Sequence, residues 1–292
     1  MFKLCFDPKN KNSKCLGVSQ FYSWEQCNST LITAYYNIKS KHSHEQYVEW
    51  MSNMLTLQDC MVIFTDPDME ETIRSLRPAA YPTFIMPYTM DNFLVNTIVT
   101  SKAWDTHENM DPEHGIGHNR DLYAVWNEKT NMMKMVADTN HFSSSYFVWL
   151  DIGAVRQTGY NHQKMIRRIP QDKGVLLLNV EPFTEEDKIL KDGQSLAEFT
   201  NKVRIGGGTI CTDKESLYNW HSAFYGTFRR YVETGRFVGK DQNMMATTCL
   251  ETTLCLLVVS GDWFRLQPWL RGEVNDGCTR LDIRDDTETV DD

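Results

Sequence analysis

The segment from Tyr146 to Arg156 carries the most legible chemistry in the sequence. An apolar run, Phe147 to Leu150, leads directly to one carboxylate, Asp151, followed by Ile152 and Gly153. A buried strand ending this way sets a negative charge at the carboxyl edge of a sheet, where open α/β sheets bind their ligands. Gly153 leaves the backbone open to a bulky group. A carboxylate is a hard oxygen donor suited to Mg²⁺ or Mn²⁺ on a diphosphate. The pattern suits a sugar nucleotide and its metal ion, although a solvated strand end fits the same residues.

Other constellations are less specific. Gly206, Gly207 and Gly208 stand in a row between Ile205 and Thr209. Such a run suits a turn with a substrate against bare backbone, and it has neither P-loop nor dinucleotide spacing. Asp241 and Gln242 follow Gly239-Lys240 where a helix should begin. Asp241 there is a cap, or a carboxylate able to take a proton or hold a sugar hydroxyl. His221 falls beside the apolar stripe of a helix, a place more often filled by a half-buried histidine than by a ligand. Asp66 and Asp68 close a short strand, as turn caps or as edge ligands. His107, His114 and His118 share an acidic loop with Asp105, Glu108, Asp111 and Glu113, in a spacing that matches no zinc motif.

The elements that must position these groups alternate between two periods. Leu31–Tyr36, Met61–Thr65, Thr83–Met86, Tyr146–Leu150 and Val175–Val180 read as strands. Residues 44–57 and 119–137 have apolar positions at helical spacing. Thr212-x-x-Glu215 reads as a capping box for a helix that runs to about Glu233 and stops at Gly235. Asp241–Leu257 reads as one further helix, and Arg204–Cys211 as a glycine-rich strand or turn. Strand–helix alternation predicts an α/β domain with a mainly parallel sheet flanked by helices. The expected organisation is an N-terminal arm over 1–28, one domain over 29–272, and a flexible acidic tail over 273–292.

Composition narrows the partners. The 292 residues hold 39 acidic and 30 basic side chains, a net charge of −9, which argues against nucleic-acid binding. The chain has 8 cysteines and no Cys-x-x-Cys pair. Cys249 and Cys255 read as small core residues, and a reducing surrounding is expected. With no signal-like stretch, and no apolar run longer than Leu254–Val259, the expected location is cytoplasmic without a transmembrane segment.

Taken together, "LITAYYNI" (31–38), "YVEWMSNML" (47–55), "VIFTD" (62–66), "LYAVWNEK" (122–129), "FVWLDIGAVR" (147–156), "IGGGTI" (205–210) and "GRFVGKDQNMM" (235–245) resemble the HtrL/YibB-like proteins. That family is similar to glycosyltransferases of the GT-A (Rossmann-like) fold. The resemblance implies a nucleotide-sugar donor, UDP-linked, and a glycan hydroxyl as acceptor. It implies that Thr33, Ala34 and Tyr35 meet the base, with Asp66 and Ile152 also on the donor side. Asp151 would stand first in an Asp-x-Asp signature whose third position is here Gly153. A Mn²⁺ or Mg²⁺ ion would then be held by Asp151, the diphosphate and a later group such as His221. The other option is a metal-poor site with Arg120, Lys129 or Arg156 on the phosphates. Gly206–Gly208 and Gln242 would face the sugar or acceptor, and Asp241 would be the base of an inverting transfer. The alternatives are a non-catalytic glycan-binding or assembly protein on the same fold, and a hydrolase built on the acidic loop.

Overall fold

The computed structural model describes residues 26–283. Most of the expected arm, and the tail beyond 283, lie outside the described residues. The first half runs β1 (Ser29–Tyr35), α1 (His44–Met54), β2 (Cys60–Thr65), α2 (Glu70–Leu76), β3 (Thr83–Pro87), α3 (Leu94–Ile98), α4 (Ser101–Met110), α5 (Arg120–Thr139) and β4 (Tyr146–Leu150). The second half runs β5 (Val175–Asn179), a small hairpin of β6 (Leu190–Lys191) and β7 (Gln194–Ser195), β8 (Ile205–Asp213), α6 (Lys214–Glu233), α7 (Asp241–Glu251), β9 (Cys255–Val259), α8 (Leu266–Leu270) and β10 (Thr279–Arg280).

Eight strands form one sheet in the order β10-β9-β5-β8-β4-β1-β2-β3. The pairs β1–β2, β2–β3, β1–β4 and β5–β9 are parallel. β8 runs antiparallel between β4 and β5, and β10 antiparallel to β9. The expected α/β class with a mainly parallel sheet therefore holds. Alternate side chains of each strand enter opposite helix layers. On β1, Leu31 packs with Met51, Met54 and Ile73, whereas Ile32 packs with Met133, Phe224 and Met245. The chain steps from β1 outward to β2 and β3, then returns to place β4 on the other side of β1. The carboxyl ends of β1 and β4 thus meet at a topological switch point, where a sheet opens a ligand crevice.

Several expectations are corrected. Residues 241–257 are not one helix: α7 ends at Glu251, and Cys255–Val259 form a strand. That strand is paired on both sides, so its apolar run is continuous, and periodicity cannot separate such a run from a buried helix. Of the two readings left open for Arg204–Cys211, strand or turn, the strand is the one formed: the glycine run is part of β8, paired to β4 and β5. α6 is capped by Asp213 rather than Thr212, with its carboxylate accepting from the Ser216 N–H at 3.0 Å. Within residues 273–283 the chain touches the domain: Arg265 pairs with Asp276, Arg168 donates to the Val274 carbonyl, and β10 joins the sheet edge.

Cys249 and Cys255 are buried in the core as expected, but four of the described cysteines are paired, which a reducing surrounding would not favour. Cys27 pairs with Cys60 and Cys249 with Cys255 in disulfides, with Cα separations of 6.4 and 5.4 Å, inside the span a disulfide requires. Spacing could not reveal the first pair, which are 33 residues apart. The second was hidden by placing both residues on one helix.

Candidate functional site

The carboxyl ends of β1 and β4 open into a cavity of about 590 Å³. Its floor is built by three backbones brought into register. The β4–β8 ladder continues past the end of β4, with the Asp151 N–H donating to the Gly208 carbonyl at 2.9 Å. The glycine run therefore lies alongside Asp151. α7 enters from above, and a Cβ on Gly207 would sit 2.8 Å from Asp241 Oδ2. Glycine at 207 is what allows a helix carrying Asp241 to rest on the strand. Gly208 leaves the Asp151 carboxylate clear, and Gly206 packs beneath Leu178 and Val180.

Lys129, from the buried face of α5, joins these pieces. Its ammonium lies 3.0 Å from Asp151 Oδ1, 3.1 Å from Asp241 Oδ2 and 2.9 Å from the Gly207 carbonyl. The ammonium therefore stands among three oxygens, donating to the Gly207 carbonyl. Contact with Asp241 Oδ2 is an ion pair out of hydrogen-bond alignment. Trp149, two residues before Asp151 and on the same side of the strand, donates its Nε1–H to Asp151 Oδ1 at 2.7 Å. Burial opposes the charge on Lys129, but the two carboxylates outweigh it and raise its pKa. Burial also pushes the Asp241 carboxyl above its ordinary value, against the pull of Lys129. Asp241 is the first residue of α7, and its Oδ1 accepts from the Gln242 N–H at 2.9 Å. Asn127 holds the approach to α7, donating to the Val238 carbonyl at 2.9 Å.

Aromatic rings form one wall. His42 and Tyr47 meet Trp50 edge-on at centroid distances of 4.7 and 5.6 Å. These rings supply what approaches the Gly153 backbone: a Cβ there would sit 3.0 Å from Trp50 and 3.3 Å from Tyr47. The openness expected at Gly153 thus admits the protein's own side chains. Arg156 lies over Trp50 at 4.2 Å and Phe264 at 5.0 Å, and none of the described residues gives it a carboxylate partner. Trp263 and Phe264 are exposed at the cavity's edge.

Ala34, Tyr35, Lys129, Asp151, Ile152, Gly153, Gly207, Gly208, Asp241 and Gln242 all line the cavity. Thr33, Gly206, Asp66, Arg120 and His221 do not. Thr33 is fully buried on β1. Asp66 opens a short turn near Asp68 and Asp91. Arg120 faces Ser101 and Asp105 in the exposed first turn of α5, because its side chain points away from that helix's buried face. His221 contacts Asn131 and Tyr225, and burial first, with Lys134 next, lowers its pKa to about 4. Sequence reasoning missed Trp50, Lys240 and the Trp263-Phe264 pair. Two adjacent aromatics just after Gly261 were the available signal for the last of these.

The residues at Asp151 do not fit an open divalent site. Asp151 Oδ1 already accepts from Trp149 and Lys129, position 153 offers no ligand, and Asp241 faces the ammonium. Only Asp151 Oδ2 is left. A separate cluster, Asp111, Glu113 and His118, brings its ligand atoms within 4.8 Å of one another. A cation already serves it: Lys240 pairs with Glu113 and lies 3.5 Å from Asp111 Oδ1. The Tyr123 hydroxyl and the His118 ring hold Asp111 Oδ2 at 2.8 and 2.9 Å.

The lysine–dicarboxylate centre thus lies in a crevice at the switch point of an α/β sheet, the place where such sheets bind ligands. The family model described as "Bacterial protein of unknown function (HtrL_YibB)" matches residues 27–271, and the chain belongs to that family. Comparison with curated proteins gave no match. Among solved structures, the chain is similar to the X-ray structure of the mannosyltransferase Ktr4p from S. cerevisiae in complex with GDP. The identity is 9% and the TM-score 0.44, over 76% of this chain and 66% of that one, just under two thirds of its length. Among the described residues, no helix is long and apolar enough to cross a membrane.

Proposed function

We propose that this protein is a glycosyltransferase that moves a sugar of the galactose, glucose or xylose type from a UDP-linked donor to a glycan hydroxyl, with inversion. The observation that carries the reading is the Lys129–Asp151–Asp241 trio on the floor of the cavity. A cavity of about 590 Å³ is the size of a small-molecule site. Its aromatic wall suits a base or sugar ring. One ammonium between two carboxylates leaves one unit of negative charge, so the trio becomes neutral by taking up one proton. The acceptor oxygen attacks the anomeric carbon, the bond from that carbon to the diphosphate oxygen breaks, and the acceptor proton passes to the trio at Asp241. Burial of Asp241 favours that uptake.

The Mn²⁺ or Mg²⁺ expected from the resemblance would supply charge to the leaving diphosphate. Because the donor set at Asp151 does not fit it, no step is assigned to the ion. The glycine at position 153 favours a second reading, a glycan-binding protein without transfer. Melting-temperature measurements with a panel of nucleotide sugars, followed by product analysis, separate the two. Transfer predicts that one donor raises the melting temperature. It also predicts that Asp241→Asn lowers the rate by roughly 10²- to 10⁴-fold while the protein stays folded. Full transfer by the folded variant removes the base assignment, and no response to any donor favours the second reading.

A further inference from the structure

The donor-site reading above is the ground for one more step. We propose that the cleft binds the donor's diphosphate without a divalent metal ion, with Lys129 as the fixed cation between the carboxylates and Arg156 meeting the phosphates. Three observations carry this. First, Lys129 fills the space that an ion bridging Asp151 and Asp241 would need, at 3.0 and 3.1 Å from their oxygens. A divalent ion on the remaining Asp151 oxygen would stand against that ammonium, and like charges at such range repel.

Second, Arg156 is a guanidinium at the cavity edge, lying over the Trp50 ring at 4.2 Å and the Phe264 ring at 5.0 Å. Its Nε–H reaches the Gly153 carbonyl at 3.3 Å, and its charge has no carboxylate partner among the described residues. A planar fork fixed on aromatic faces and left unpaired is suited to two phosphate oxygens. Third, the charge at this wall is positive. Lys41 also lines it, and the pKa of His42 is lowered, first by burial and then by Arg156 and Lys41. A diphosphate placed there has cations beside it, while the trio below keeps a carboxylate for the sugar.

Calorimetric titration of the full chain with UDP and with GDP, once in EDTA and once in Mn²⁺, tests the proposal. At least one nucleotide is expected to bind in EDTA, and Mn²⁺ to change its Kd by less than about threefold. Arg156→Ala is expected to weaken binding by roughly tenfold or more, as loss of a charged hydrogen-bond donor does. In a melting assay without nucleotide, Mn²⁺ should leave the wild type unchanged and stabilise Lys129→Ala, where the ammonium no longer stands between the carboxylates. Should that variant not fold, the Arg156 titration decides alone. Binding that requires Mn²⁺, a wild type stabilised by Mn²⁺ alone, or an Arg156→Ala variant with unchanged affinity overturns the proposal. Absence of binding by both nucleotides in both conditions removes the donor-site reading with it.

Discussion

Lys129 is buried and enclosed by two carboxylates and a carbonyl, so its influence on the site is through position and charge. It holds Asp151 and Asp241 together. Burial raises the Asp241 carboxyl above its ordinary 3.8. The folded chain therefore keeps this proton at pH values where the unfolded chain has released it. The associated stability is complete below 3.8 and is lost as pH rises through the folded-state value. Asp241→Asn lacks that dependence. The stability of the wild type relative to the variant should fall as pH rises above 3.8, whereas transfer, which needs the ionised carboxylate, should rise over the same window. Urea unfolding of both proteins across this range checks the sign, and a difference that grows with pH contradicts it. The sequence indicates Asp151 and Asp241 separately, each by its place at the end or start of an element. It gives no sign of their union, because Lys129 reaches them from a helix whose apolar spacing says nothing of a buried lysine.

Helix α5 does more than supply Lys129. Its buried face also carries Glu128, whose carboxylate accepts the Leu94 and Val95 N–H groups at 3.1 Å each and the Tyr88 hydroxyl at 3.0 Å. These N–H groups open α3, which has no side-chain cap of its own. Glu128 thus supplies from another element what a local Ser or Asp would otherwise provide. Glu128→Ala should lower stability by about 2–4 kcal/mol, since it leaves buried donors without an acceptor. Chemical denaturation measures this, and a loss under about 0.5 kcal/mol would refute the capping role. Long elements with one clean period, such as β4, α5 and α6, were legible in the sequence. The division of 241–259 into α7 and β9 was not, because both are buried on every side. For β8 the sequence left strand and turn undecided, since three glycines suit a turn as well until Asp241 and Asp151 are seen occupying the room they leave.

At the scale of the whole molecule, two covalent links among the described residues act on the sheet. Cys27–Cys60 ties the segment before β1 to the start of β2, and Cys249–Cys255 ties the last turn of α7 to the start of β9. The first closes a loop across residues 33 apart, which in the chain-entropy picture stabilises the fold by about 3–4 kcal/mol. The second spans only 6 residues, so its entropic share is smaller. Its effect is on geometry, because α7 carries Asp241 at its other end. Cys211 and Cys278 remain free among the described residues, and Cys211 is wholly buried within the sheet. Proteolysis of the unreduced protein, followed by mass spectrometry, should recover a peptide pair joining Cys27 to Cys60 and an internal link between Cys249 and Cys255. Dithiothreitol should then lower the melting temperature by several degrees, with Cys27→Ser accounting for most of the shift. Recovery of both pairs as free thiols from protein prepared under oxidising conditions would contradict the linkage. An unchanged melting temperature after complete reduction would show instead that packing alone holds β1 against β2.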